Sequence, residues 1–250
     1  MDLYIFALLL GAILGSFINA LVYRFNTGQG MGGRSRCMHC GHTLKAHDLI
    51  PVISFLFLQG RCRYCHARLS RQYPVVEVAA ALLSLAVYVL HPMPLEYALW
   101  LVTVMTLLFV VVYDIRHGII PWSASGLLVA LALTHLFLFS EPTLWNVLAG
   151  PLLALPLFLF SLVSRGTWMG WGDSALELSL GWLLGLSMGA TALVLAFWTG
   201  AAVGIALMLL KKGYKMRSEL PFAPFLVLGA LAVHFLHVDF FATISILSAF

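Results

Sequence analysis

Asp114 and Asp173 lie where long apolar runs give way to basic loops, and the second closes the run Gly170-Trp171-Gly172-Asp173. A carboxylate at a bilayer boundary is costly unless it is paired, protonated or hydrated, so its position there points to function. Two such groups in contact in a low-dielectric setting do not both ionise readily. The ionised member can take a proton from water, and the protonated member can donate to a carbonyl oxygen under attack. The plainer alternative is that each aspartate caps a helix or pairs with Arg116 or Arg165. Gly170 and Gly172, without side chains, let a substrate backbone approach closely or let the chain adopt positive φ.

A second constellation is built from cysteine. Cys37-Met38-His39-Cys40 and Cys62-Arg63-Tyr64-Cys65 are two CxxC turns in one loop. Two such turns facing one another offer four soft ligands in a tetrahedron, which suits a structural Zn²⁺ with no position open for water. Reduced, unligated thiols are the alternative. His39, His42, His47 and His66 stand nearby as spare ligands, and Arg36, Arg61 and Arg63 would offset the thiolate charge.

The elements that position these groups are apolar helices. The 250 residues are 62% hydrophobic and only 10% charged, against about 25% charged in a soluble domain. Runs near the ~20 residues needed to cross a bilayer fall at Leu3–Val22, Val75–Leu90, Tyr97–Tyr113, Ile120–Phe139, Leu144–Val163, Ser174–Leu186, Ala190–Leu210 and Phe222–Phe241. Asp2 precedes the first and no small-residue cleavage site follows it, so it reads as a retained helix and not a signal peptide. The fold class is therefore an all-α polytopic membrane protein of about eight transmembrane helices, with a small zinc-binding cytoplasmic domain between helices one and two.

All fourteen Lys and Arg residues fall on one side of that arrangement, including Lys211, Lys212, Lys215 and Arg217. Glu96 and Glu141 mark the other side. The positive-inside rule places the basic loops, both aspartates and the cysteines in the cytoplasm and both termini outside. The positive charge reports topology and anionic membrane lipid, not nucleic acid. Residues 24–73 form the long excursion, opening on Gly28, Gly30, Gly32 and Gly33 and containing the apolar run Leu49–Leu58. That run is too short to span and is expected to pack on the small domain or lie along the membrane surface. No internal repeat is evident. The division is 1–23, first helix; 24–73, cysteine domain; 74–250, seven-helix membrane domain.

The chain resembles the bacterial type IV prepilin peptidases, the bifunctional leader peptidase/N-methyltransferases. The likeness runs through Gly15-Ser16-Phe17-Ile18-Asn19 with Tyr23-Arg24, both CxxC pairs, and Tyr73-Pro74-Val75-Val76-Glu77. It continues through Asp114…Ile120-Pro121, Gly170–Asp173 and Leu220-Pro221-Phe222-Ala223-Pro224-Phe225. The resemblance implies a GxGD-type aspartic peptidase with Asp114 and Asp173 as its catalytic pair. Its implied partners are prepilins and pseudopilins, cleaved after a glycine at the cytoplasmic face of the bacterial inner membrane. It also implies methylation of the new N-terminus from S-adenosylmethionine, with Gly60, Arg61 and Glu77 as methyl-donor-binding residues. For Glu77 a structural role, as ion-pair partner of a loop arginine, is the competing expectation.

Three positions depart from the family pattern. Ala175 stands where a lysine is usual, Trp122 where an acid follows Ile-Pro, and Glu177 where an apolar residue is common. Asn19 and Ser16 read as interhelical hydrogen-bonding groups, Trp171 and Trp168 as interfacial anchors or a wall for an apolar substrate helix, and His117 as a solvated loop residue. The alternatives are a peptidase without methyl transfer and, from another class, a zinc-stabilised membrane scaffold or proton-coupled carrier. A carrier would place its acids near the bilayer midplane, whereas these lie at one edge.

Overall fold

A computed structural model describes residues 2–27, 33–140, 142–167, 169–210 and 220–241. Gly28, Gly30, Gly32, Glu141, Trp168, Lys211, Lys212, Lys215 and Arg217 lie outside the described residues. The described helices are α1 (Asp2–Arg24), the short α2 (Ile53–Phe57), α3 (Gln72–Leu90), α4 (Pro94–His117), α5 (Trp122–Phe139), α6 (Leu144–Val163), α7 (Trp171–Leu210) and α8 (Ala223–Leu236). Six of them are long and apolar enough to cross a membrane. Two compact units emerge, Met1–Phe109 and Val110–Phe250, with the division falling inside α4.

The 40 residues of α7 are not one rod. Gly185 adopts φ 77° and ψ 177°, a region open essentially to glycine alone. A Cβ on Gly189 would stand 3.6 Å from the Cα of Gly181, whereas eight residues of straight helix span about 12 Å. The chain therefore reverses at Gly185, and α7 supplies two apolar arms, 171–184 and 186–210. Counting both arms and α8, the described residues form eight apolar helical segments. The turn comes earlier than the sequence suggests, because a single glycine closes it. The last helix ends at Leu236, where His237 takes a left-handed φ of 53°, and does not continue to Phe241.

In the first unit α1 packs on α3. Gly11 and Gly15 make this possible: a Cβ on Gly11 would lie 2.5 Å from the Ala80 carbonyl oxygen, and one on Gly15 would lie 2.8 Å from the Glu77 Cα. Small residues four apart let two backbones close up where lipid supplies no hydrophobic drive. Polar side chains then fasten the pair. Asn19 Nδ2 donates to the Tyr73 carbonyl at 3.1 Å, and Ser84 Oγ donates to the Ala7 carbonyl at 2.7 Å.

The loop between α1 and α3 contains two knuckles with one bonding pattern, a local repeat that residue types alone conceal. In the first, Cys37 N–H bonds the His42 carbonyl, Gly41 N–H bonds the Cys37 carbonyl and Leu44 N–H bonds the Ser35 carbonyl. In the second, Cys62, His66 and Leu69 donate in the same way to Ala67, Cys62 and Gly60. Gly41 and His66 occupy equivalent left-handed positions. The apolar run forms α2, which packs little: Ile53, Leu56 and Phe57 are 51%, 67% and 84% exposed.

In the second unit α7 packs against α5, α6 and α8. Gly150 of α6 meets Gly181 of α7, where an added Cβ would stand 2.8 Å from the opposing Cα. Trp182 Nε1 donates to the Val147 carbonyl at 2.8 Å and fixes the same crossing.

Candidate active site

Asp173 sits in the first turn of α7. Its Oδ2 accepts from the Gly170 N–H at 3.2 Å, while its own N–H reaches back to the Gly170 carbonyl. That is half of a capping box, an acidic side chain bonding the amide that precedes the helix. The capping alternative is thus real for this residue, yet it uses only one carboxylate oxygen. The turn before it is held from beneath by Ser161. This fully buried hydroxyl of α6 lies 3.1 Å from the Met169 carbonyl and 3.2 Å from that of Gly170. Trp171 packs edge-on to Phe158 at 5.6 Å between ring centroids.

Gly172 is glycine for a steric reason. A Cβ there would lie 2.7 Å from the Cβ of Ile120. Ile120 leads from the end of α4 into α5, so this contact binds the segment that carries Asp114 to the turn that carries Asp173. Gly170 is constrained less tightly, since an added Cβ would lie 3.3 Å from Asp173 Oδ2.

Asp114 lies in the last turn of α4 and is 5% exposed. Its carboxylate accepts from the backbone N–H of Ala223, the first residue of α8. Helix N-termini favour negative charge. Its Oδ2 has no hydrogen-bond partner among the described residues. Asp114 and Asp173 interact electrostatically, and neither forms an ion pair with Arg116 or Arg165 among the described residues. His117 is exposed and its ring lies 4.2 Å from that of Tyr113, outside the carboxylate pair.

Sequence reasoning missed three supporting residues. Ser161 gives no signal in a single chain. Ile120 and Ala223 belong to recognisable runs, but their roles, a steric stop and a backbone donor, are invisible in side-chain chemistry. Glu177, one turn beyond Asp173, is 1% exposed, and its Oε1 has no hydrogen-bond partner among the described residues.

The four cysteines come together. Their sulfurs all lie within 4.8 Å of one another, and Cys37 Sγ is 3.8 Å from Cys65 Sγ. A tetrahedron of Zn–S bonds of about 2.3 Å has edges of about 3.8 Å, so the set fits zinc. At Cys65 the Ala67 N–H favours the thiolate, but burial and the thiols of Cys62, Cys40 and Cys37 outweigh it and push the group up to about 11. A bound cation would relieve that crowding.

Arg63 does not face the sulfurs as expected. Its Nε donates to Asp48 Oδ1 at 2.7 Å. Asp48 also accepts from the Lys45 N–H at 3.1 Å and the Tyr64 hydroxyl at 3.2 Å. Burial works against its ionisation, yet these donors together hold the carboxyl below its ordinary value. Asp48 thereby ties the first knuckle to the second, and His42 adds a ring contact with Tyr64 at 3.7 Å.

The three methyl-donor candidates do not meet in one bonded group. Gly60 has φ 69°, and a Cβ on it would touch the Phe55 ring at 3.0 Å. Arg61 bridges Arg68 within the second knuckle. Glu77 is buried in α3, and its Oε2 accepts from the Val52 N–H at 2.7 Å. The Ser16 hydroxyl also favours its charged form, and the expected ion pair with a loop arginine does not form among the described residues.

Residues 9–91 match the family described as Bacterial Peptidase A24 N-terminal domain. A prepilin leader peptidase/N-methyltransferase of Burkholderia pseudomallei is 32% identical over 94% of this chain and 86% of its own length. The chain belongs to the prepilin leader peptidase/N-methyltransferase family. The family member from Bacillus subtilis is 34% identical over 90% of each chain, and that from Stutzerimonas stutzeri is 30% identical over 89% of this chain and 87% of its own. No solved structure matches the chain. With this family membership, the apolar helices describe a multi-pass membrane peptidase.

Proposed function

We propose that this protein removes the basic leader of type IV prepilins and pseudopilins and then N-methylates the exposed terminus. Cleavage follows a glycine, at the cytoplasmic face of the bacterial inner membrane. Residues 24–73 serve the methyl transfer and residues 74–250 the cleavage. The observation that carries the peptidase reading is the electrostatic interaction between two buried carboxylates from different helices, Asp114 and Asp173.

One aspartate takes a proton from water as that water attacks the scissile carbonyl. The other donates a proton to the carbonyl oxygen, giving a tetrahedral diol; the C–N bond then breaks as the first aspartate passes its new proton to the leaving nitrogen and a diol hydroxyl returns a proton to the second. Ala223 N–H and Gly170 N–H keep the two side chains aimed, and no covalent intermediate with the enzyme forms. Ile120 against Gly172 keeps the helix ends in register.

Cys37, Cys40, Cys62 and Cys65 would hold Zn²⁺, which supplies cross-links to a loop with little apolar core. S-adenosylmethionine supplies the methyl group. Incubating the purified protein with a prepilin and labelled S-adenosylmethionine tests both halves together. The expected result is a shortened product that carries label. Cleavage without label removes the methyl-transfer half, and an uncut substrate removes the whole reading.

A further inference from the structure

The inward side of α2 is accounted for and its outward side is not. Inward, the Phe55 ring packs where a Cβ on Gly60 would stand 3.0 Å away. Outward, Ile53, Leu56 and Phe57 fall at i, i+3 and i+4 of one helical face. All three are exposed, and Leu49 and Ile50 just before them are exposed as well. A run of large apolar side chains left bare in this way marks an interaction surface.

The depth of the segment points to lipid. Val52 N–H donates to Glu77 Oε2 at 2.7 Å. Glu77 stands five residues after Gln72, the first of α3, which is about 7.5 Å along the axis. Leu49 and Pro51 line one cavity with Phe17 and Ala20 of α1, which lie about 10 Å and about 6 Å inside the helix end at Arg24. Residues 49–52 therefore sit level with the last turns of two apolar helices and not beyond them. Amphipathic segments that lie in a membrane bury their apolar face by about 5–10 Å, the same range.

Charge agrees. Residues 24–73 hold eight Lys and Arg and a single acid, Asp48, which Arg63 engages. Arg61 follows α2 after one tight turn, its N–H bonded to the Leu58 carbonyl. It stands opposite Arg68 across an antiparallel bridge, so both side chains leave on one side. Like charges directly opposite repel, and neither arginine has an ion-pair partner among the described residues. A phosphate fits a bare pair of guanidiniums.

We propose that Leu49, Ile50, Ile53, Leu56 and Phe57 seat in the acyl boundary of the leaflet that adjoins the cysteine loop, with Arg61 and Arg68 receiving the phosphates of anionic lipid. This gives Arg61 a lipid partner in place of the methyl donor.

The test uses the full chain with its zinc, reconstituted in vesicles of equal parts phosphatidylglycerol and phosphatidylcholine, with p-benzoylphenylalanine in place of Phe57. After irradiation, mass spectrometry reads what the label has joined. Lipid adducts are expected, with phosphatidylglycerol favoured at least threefold over phosphatidylcholine. Ile53→Glu should cut total lipid adduct at least fivefold. Arg68→Gln should bring the two lipids near to equality without lowering the total. Zinc content at parental level shows that each variant keeps its fold. A cross-linked dimer as the main product, no lipid adduct, or an adduct indifferent to Ile53→Glu overturns the leaflet assignment. Equal labelling of the two lipids by the parent, or a preference that survives Arg68→Gln, overturns the phosphate site.

Discussion

Ile120 stands over Gly172 so closely that a methyl group on the glycine would lie 2.7 Å from the isoleucine Cβ. Through this contact the end of α4 and the start of α7 are held in one arrangement. Gly172→Ala must push the two apart, and displacements near 1 Å at a catalytic geometry cost about 10²-fold in rate. Gly170→Ala meets only a 3.3 Å approach to Asp173 Oδ2 and should lose less. Cleavage rates on a prepilin rank the two, and a fully active Gly172→Ala contradicts the packing argument.

The reversal at Gly185 makes a second prediction. Nothing lies within 4 Å of where a Cβ would be, so the constraint is the backbone alone. Gly185→Ala should destabilise the second unit by about 1–3 kcal/mol through strain at that φ and ψ. Thermal unfolding in detergent measures this, and an unchanged midpoint would mean that the turn does not need glycine.

Asp48 gives the cysteine domain a pH dependence of definite sign. Its carboxyl ionises more readily folded than unfolded, where the value is near 3.8. Its contribution is therefore present above 3.8 and fades as pH falls through the lower folded value. Asp48→Asn should lose metal to a chelator faster than the parent near neutral pH. The difference should shrink below pH 3.8. A difference that grows on acidification contradicts this role.

Much of this was legible in the residues. The apolar runs and the CxxC pairs each carry their own signal, because lipid and soft-ligand chemistry leave few alternatives, and Asp114 and Asp173 stand out as acids beside apolar runs. Geometry that depends on backbone was not legible. The reversal at Gly185 and the amide of Ala223 facing Asp114 leave no mark on side-chain type. Nor does the bond-for-bond match of the two knuckles, where Gly41 in one is His66 in the other. Arg63 was misassigned for a related reason, since proximity in sequence to a cysteine says nothing of a competing carboxylate at Asp48.

The most direct measurement is leader removal by Asp114→Asn and Asp173→Asn, each nearly isosteric and each unable to exchange a proton. Both should leave the prepilin uncut while zinc content stays at parental level, because the cysteine set lies in the other unit. Full cleavage by either variant would contradict a mechanism that needs both carboxylates.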